Sequence, residues 1–175
     1  MSRRPLFENV RILLCDVDGV LTDAGVYLGK EEEFKRFNIQ DGMGLRMLQK
    51  CGVPVGWVSN RESVATTKRA KELKVDYLWQ KSAPKVEAVA GILEKTGLDW
   101  ADACFVSDDV NDLAVLRCVG LPIAVANAVA EVRKVAHYTT KARGGDGAVR
   151  EVCEKILKAH GRWNGLVRKL SGLDE

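Results

Sequence analysis

Histidine is scarce in this chain. Only His137 and His160 occur, and neither has a second nitrogen or sulfur donor nearby in sequence, which argues against a zinc centre. The five cysteines, Cys15, Cys51, Cys104, Cys118 and Cys153, lie far apart, form no C-x-x-C pair and fall mostly within apolar patterns. They read as reduced core residues, not as a disulfide frame or redox centre. No apolar run approaches the length needed to span a bilayer, so no membrane role is expected. The opening Met1-Ser2-Arg3-Arg4-Pro5 leads into a mixed, charged segment and not an apolar leader core, so a cytoplasmic location is expected. Repeats, low-complexity tracts and Pro/Ser-rich linkers are also missing, and one domain over residues 1–175 is expected. Nor does charge of one sign dominate: 27 Lys and Arg stand against 24 Asp and Glu, a net charge of +3. The densest basic cluster, Lys68-Arg69-Ala70-Lys71-Glu72-Leu73-Lys74, reads as the wet face of a helix. Nothing supports a nucleic-acid partner, whereas mild basicity suits a small anionic substrate.

What is present is an ordinary globular composition, 46% apolar and 29% charged, long enough to bury a core without staples. Short strand-like runs alternate with longer helix-like ones. Strands are expected at Val10 to Cys15, Val53 to Ser59, Val75 to Trp79, Ala103 to Val106, Ile123 to Val125 and Tyr138 to Thr139. Between them the apolar spacing predicts helices over Asp41 to Gly52, from the N-cap Ser63, from Ser82-Ala83-Pro84-Lys85 through Glu94, over Asn111 to Val119, over Ala128 to Val135 and over Ala148 to His160. Residues 161–175 read as a tail. Gly25 to Asn38 fits a small β-hairpin inserted after the first strand, with its turn near Gly29 and Lys30. Such alternation specifies an α/β fold: a Rossmann-like, doubly wound, mostly parallel sheet covered by helices on both faces. No insertion is long enough to form a cap domain.

In folds of this kind ligands bind beyond the carboxyl ends of the strands. Four polar groups fall there: Asp16 and Asp18, Ser59 to Arg61, Ser82 to Lys85, and Asp108 to Asp112. Asp16 and Asp18 can share one side of the chain as it leaves the sheet, and two such close acids repel unless a cation or proton relieves them. Mg²⁺ prefers one or two carboxylates, with waters and phosphate oxygens completing its shell, a role Asp16 and Asp108 fit. Asp16 could then attack phosphorus while Asp18 moves the proton, with Ser59 and Lys85 holding the transferring oxygens. Taken singly, each has a plainer reading. One acid of the first pair could cap a helix, Ser59 could be a turn hydroxyl, Lys85 a surface lysine, and Asp108, Asp109 and Asp112 a capping cluster.

Taken together, Asp16-Val-Asp18-Gly-Val-Leu-Thr-Asp23, Ser59-Asn-Arg61, Lys85 and Asp108-Asp109-Val-Asn-Asp112 resemble, in order and spacing, the four motifs of the haloacid dehalogenase-like phosphatases. The resemblance implies Asp16 as nucleophile, Asp18 as acid/base, Ser59 and Lys85 as phosphate ligands, and Mg²⁺ held by Asp16, the Asp18 carbonyl and Asp108. Asp109 and Asp112 would support the metal ligands. The hairpin with Phe37-Asn38-Ile-Gln-Asp41-Gly42-Met-Gly44-Leu-Arg46, and the later Gly144-Gly-Asp-Gly-Ala-Val-Arg150-Glu151, are similar to the capless 3-deoxy-D-manno-octulosonate 8-phosphate (KDO 8-phosphate) phosphatases, over about Val10 to Leu157. That likeness implies a homotetramer in which hairpins assemble and neighbouring subunits close the site. It also implies substrate contacts from Asn38, Asp41, Gly42, Arg46, Arg61, Arg69 and Arg150.

A lone hairpin is marginally stable, and Tyr27, Leu28, Phe34 and Phe37 give this one apolar side chains that need a partner, either another subunit or their own domain. The chain also departs from the family pattern. Ser59-Asn60-Arg61 stands for Thr-Gly-Arg, with Asn60 expected to tolerate positive φ in the turn; Ser107 stands for glycine, Gln80-Lys81 for Gln-Gly, and Gln40 for arginine. The expected function is an Mg²⁺-dependent phosphatase of a small sugar phosphate, KDO 8-phosphate. The alternatives are a nine-carbon keto-acid 9-phosphate phosphatase and a catalytically weakened, phosphatase-like assembly module.

Overall fold

The central strand β1, Ile12–Cys15, is buried at every residue, because it lies inside a sheet covered on both faces. Two short strands, β2 at Tyr27–Leu28 and β3 at Glu33–Phe34, pair antiparallel as the hairpin. The chain then alternates through α1 (Ile39–Lys50), β4 (Val55–Ser59), α2 (Val64–Glu72), β5 (Tyr77–Gln80), α3 (Lys85–Thr96), β6 (Ala103–Ser107), α4 (Leu113–Leu116), β7 (Leu121–Ala124), α5 (Ala130–Val135), β8 (Tyr138–Thr139), α6 (Ala148–Ala159) and α7 (Trp163–Ser171). This computed structural model describes residues 6–30 and 33–172, so part of the hairpin turn and both chain ends lie outside the described residues.

Six strands form one parallel sheet in the order β5-β4-β1-β6-β7-β8. From β1 the chain builds outward to β4 and β5, then returns to the other side of β1 with β6. The order therefore reverses between β1 and β6, where an open α/β sheet leaves a crevice at its carboxyl edge. Trp57 and Phe105 are the largest fully buried side chains, one on each neighbour of β1.

Several local expectations shift. The helix read over Asn111 to Val119 is a 3-10 turn at Val110–Asp112 followed by the four-residue α4, because Asp109 caps the turn by accepting from the Val110 N–H at 2.7 Å. α5 begins at Ala130, two residues later than Ala128. The tail is partly helical: Trp163, Leu166, Val167 and Leu170 recur at helical spacing, and Gly172 ends α7 with a left-handed backbone. All five cysteines are free and Cys15, Cys104 and Cys153 are buried, but Cys118 is exposed and so is not a core residue. Among the described residues no helix is long and apolar enough to cross a membrane.

The hairpin's apolar side chains divide. Phe37 stacks on Trp57, with ring centroids 6.0 Å apart. Leu28 (78% exposed), Phe34 (56%) and Tyr27 (49%) face outward.

Candidate active site

The site forms where β1, β4 and β6 end. Asp16 follows β1, and its main-chain N–H donates to the Val106 carbonyl, which fixes the first carboxylate beside the exit of β6. Gly19 then turns the chain with φ +85°, and any Cβ there would collide with the Asp108 carboxylate; only glycine allows this approach. Gly144 is pressed in the same way against the Gly19 carbonyl, so the Gly144-Gly145-Asp146-Gly147 loop braces the β1 exit from behind. A cavity of about 320 Å³ opens there, lined by Asp16, Asp18, Ser59, Arg61, Asp108 and Asp109, among others.

Lys85 is the first residue of α3 and is almost wholly buried, its ammonium 2.8 Å from Asp16 Oδ1 and 2.7 Å from Asp112 Oδ1. Its helix-opening position, unfavourable to a surface lysine, is explained by these two carboxylates. Burial pulls the Lys85 pKa down, but the two acids outweigh it and the net shift is upward. Burial raises the pKa of Asp16 as well, against the lowering effect of Lys85. Asp108 is pushed up to about 7 by burial and then by repulsion from Asp16 and Asp112. Asp112 is also raised to about 7, by burial and by Asp16. So much crowded negative charge asks for a cation.

Asp108 Oδ1 is buried with no hydrogen-bond partner among the described residues. The donor set fits Mg²⁺: two hard carboxylates, Asp16 and Asp108, with room in the cavity for water and phosphate oxygens. Among the described residues no three acidic, imidazole or thiol side chains gather as a complete cage. A site that takes a main-chain carbonyl and waters as its remaining donors needs none.

Ser59, at the end of β4, is buried at the cavity wall and accepts from the Arg61 N–H at 3.1 Å. That bond closes the turn, and Asn60 does not use positive φ in it: among the described non-glycine residues only Ala24 and Lys74 do. The capping reading of the Asp108-Asp109-Asp112 cluster holds for Asp109, while Asp108 faces the cavity and Asp112 is held by Lys85.

The expected sugar contacts separate. Arg61 lines the cavity and pairs with Glu33 of the hairpin. Asn38, Asp41, Gly42, Arg46, Arg69 and Arg150 are not among its lining residues. Asn38 is the N-cap of α1, accepting from the N–H of Gln40 and Asp41. Asp41 is 1% exposed, and its Oδ1 accepts the Arg150 N–H at 2.7 Å, so it caps α6 from a neighbouring helix. The Arg69 guanidinium packs on Gly42, Arg46 donates to the Leu73 carbonyl, and Arg150 lies beside Gly44 and over the Trp163 ring. These residues gather around α1, outside the lining of the cavity.

One residue escaped the sequence reading. Lys35, just past β3, reaches the mouth and places Nζ 2.7 Å from Asp18 Oδ1. Strand alternation was the available signal: Phe34 and Arg36 face out, so Glu33 and Lys35 must face in.

Comparison with known proteins agrees with this architecture. The profile of the haloacid dehalogenase-like hydrolases matches residues 57–152. The 3-deoxy-D-manno-octulosonate 8-phosphate phosphatase KdsC of Yersinia pestis is 38% identical over 158 residues, covering 90% of this chain and 84% of that protein. The chain therefore belongs to the haloacid dehalogenase-like hydrolase family. Among solved structures, the KDO 8-phosphate phosphatase of Moraxella catarrhalis, in complex with magnesium ion, phosphate ion and KDO, superposes with a TM-score of 0.91 at 34% identity, covering 94% of this chain and 95% of that one. The cobalt-bound deoxy-D-mannose-octulosonate 8-phosphate phosphatase of Haemophilus influenzae gives a TM-score of 0.90 at 28% identity, covering 96% and 99%.

Proposed function

We propose that this protein is an Mg²⁺-dependent, cytoplasmic phosphatase that hydrolyses KDO 8-phosphate to the free keto-sugar acid and phosphate. One observation carries the reaction type: Asp16, Asp18 and Asp108 converge on one cavity at the β1/β6 crevice, with Lys85 buried against Asp16. The 38% identity to a phosphatase of that substrate carries the substrate.

Asp16 and Asp108, with the Asp18 carbonyl, would hold Mg²⁺, which when bound offsets the charge of the carboxylates and the phosphoryl oxygens. An Asp16 carboxylate oxygen attacks phosphorus while Asp18 protonates the departing sugar oxygen. Asp18 then takes a proton from the water that hydrolyses the aspartyl phosphate. Lys85 and the Ser59 hydroxyl hold the transferring oxygens, so positioning and charge supply most of the rate. Asp109 and Asp112 support the set, Asp112 by fixing Lys85. Arg61 meets the substrate once Glu33 is displaced from it.

The outward-facing Leu28, Phe34 and Tyr27 support assembly of hairpins into a homotetramer. In that assembly the patch of Asn38, Asp41, Gly42, Arg46, Arg69 and Arg150 would serve a neighbour's site, which a cavity open to water within one subunit needs. Phosphate release from KDO 8-phosphate and from a nine-carbon 9-phosphate, with and without Mg²⁺, tests the reading against an Asp16→Asn control. Mg²⁺-dependent turnover favouring the eight-carbon ester is expected; turnover equal to that of Asp16→Asn would sink the mechanism.

A further inference from the structure

Lysine side chains are rarely closed off from water unless they are paired, and that of Lys35 is closed off beneath a hairpin that the Arg61–Glu33 pair and the Phe37–Trp57 stack also tie to the domain. Its side chain is 1% exposed. Its ammonium meets both oxygens of Asp18, at 2.7 and 3.0 Å, and Thr66 Oγ1 of α2 at 3.2 Å, with Glu33 Oε1 at 3.8 Å. Thr66 is itself fully buried, so the third contact is anchored in the domain. Asp18, in contrast, is 34% exposed on its side chain and opens into the cavity. An ion pair with one wet partner adds little to stability, so folding alone does not account for an inward lysine here. The ammonium instead fixes where the Asp18 carboxyl stands at the cavity mouth.

We propose that Lys35 is a positioning residue for proton transfer, holding the Asp18 carboxyl by both oxygens at the cavity mouth, where it meets the leaving group. This rests on the phosphatase reading given above. As the Asp16 oxygen–phosphorus bond forms and the ester P–O bond breaks, the Asp18 carboxyl proton passes to the departing oxygen. The carboxylate left behind is stabilised by the Lys35 ammonium. When water later attacks the aspartyl phosphate, its proton returns to Asp18 and phosphate leaves Asp16. Seating of the hairpin thereby sets the geometry of the acid/base.

The test compares wild type, Lys35→Met, Lys35→Arg, Asp18→Asn and the Asp18→Asn/Lys35→Met double variant. Single-turnover release of the leaving group is followed from an alkyl sugar phosphate, which needs a proton donor, and from 4-nitrophenyl phosphate, whose phenolate leaves without one. Lys35→Met is expected to slow the alkyl ester roughly tenfold or more and the aryl ester by less than about threefold. Lys35→Arg should recover part of the loss. The double variant should be no slower than Asp18→Asn alone, since both changes act on one step. Equal losses on the two esters, losses that multiply with Asp18→Asn, or a faster Lys35→Met would overturn the proposal. If Lys35→Met does not fold by thermal melt, Lys35→Gln and Lys35→Arg carry the same comparison. Equal release by wild type and Asp16→Asn removes the phosphatase reading and this proposal with it. Asp16-dependent release that is unchanged in Lys35→Met removes this proposal alone.

Discussion

The Lys85 ammonium lies 2.7 Å from Asp112 Oδ1, and both side chains are closed off from water. With Asp16 on the same ammonium at 2.8 Å, one cation holds two buried acids. Lys85→Met would leave both unpaired, and truncating one partner of a buried pair costs about 3–5 kcal/mol. A loss of that order in urea unfolding is expected, together with abolished turnover. Lys85→Met/Asp112→Asn should regain part of the stability and none of the activity. A variant as stable as wild type would show that the acids are neutral in the folded state.

The acids at the crevice make stability depend on pH and metal together. Asp108 and Asp112 are raised to about 7 from an ordinary value near 3.8, so between those values the folded protein binds more protons than the unfolded chain. Their contribution is full below the unfolded value and is lost as pH rises through about 7. Metal-free protein should therefore melt at lower temperature at pH 8 than at pH 5.5. Mg²⁺, which competes with these protons, should raise the melting temperature more at pH 8. Scanning calorimetry with chelator or Mg²⁺ checks both signs.

Asp41 ties α1 to α6 through the Arg150 N–H. Asp41→Ala should destabilise the protein by about 2 kcal/mol, the upper range for a lost cap. Asp41→Asn, which keeps an acceptor oxygen, should cost less. Denaturant midpoints separate the two; equal effects would argue that charge, not the cap, is what Asp41 supplies.

Leu28 and Phe34 are the outermost apolar side chains of the hairpin. Leu28→Glu/Phe34→Glu should convert an assembled protein into smaller species by light scattering at micromolar concentration, with the fold retained by circular dichroism. A wild type that is already monomeric would sink the hairpin assembly.

Much of this was legible along the chain. The apolar run into Asp16, the strand–helix alternation, the positions of Ser59 and Asp108 at strand ends and that of Lys85 at a helix start follow from local periodicity, because a parallel sheet buried on both faces leaves only its edges free for polar chemistry. Asp109 and the short α4 were harder: a cap and a turn compete within a few residues, and local hydrogen bonds decide. α7 was missed although Trp163, Leu166, Val167 and Leu170 carry its pattern.

The sequence by itself determined the parallel α/β fold and the set of acids, lysine and hydroxyl at its carboxyl edge, since residue order and period are one-dimensional information. Tertiary structure alone decided which neighbour each group has. It made Asp41 the cap of α6, set Lys85 between Asp16 and Asp112, and brought Lys35 from the hairpin onto Asp18. Those pairings join residues far apart along the chain, and an ion pair or cap depends on distances of a few ångströms that only packing sets.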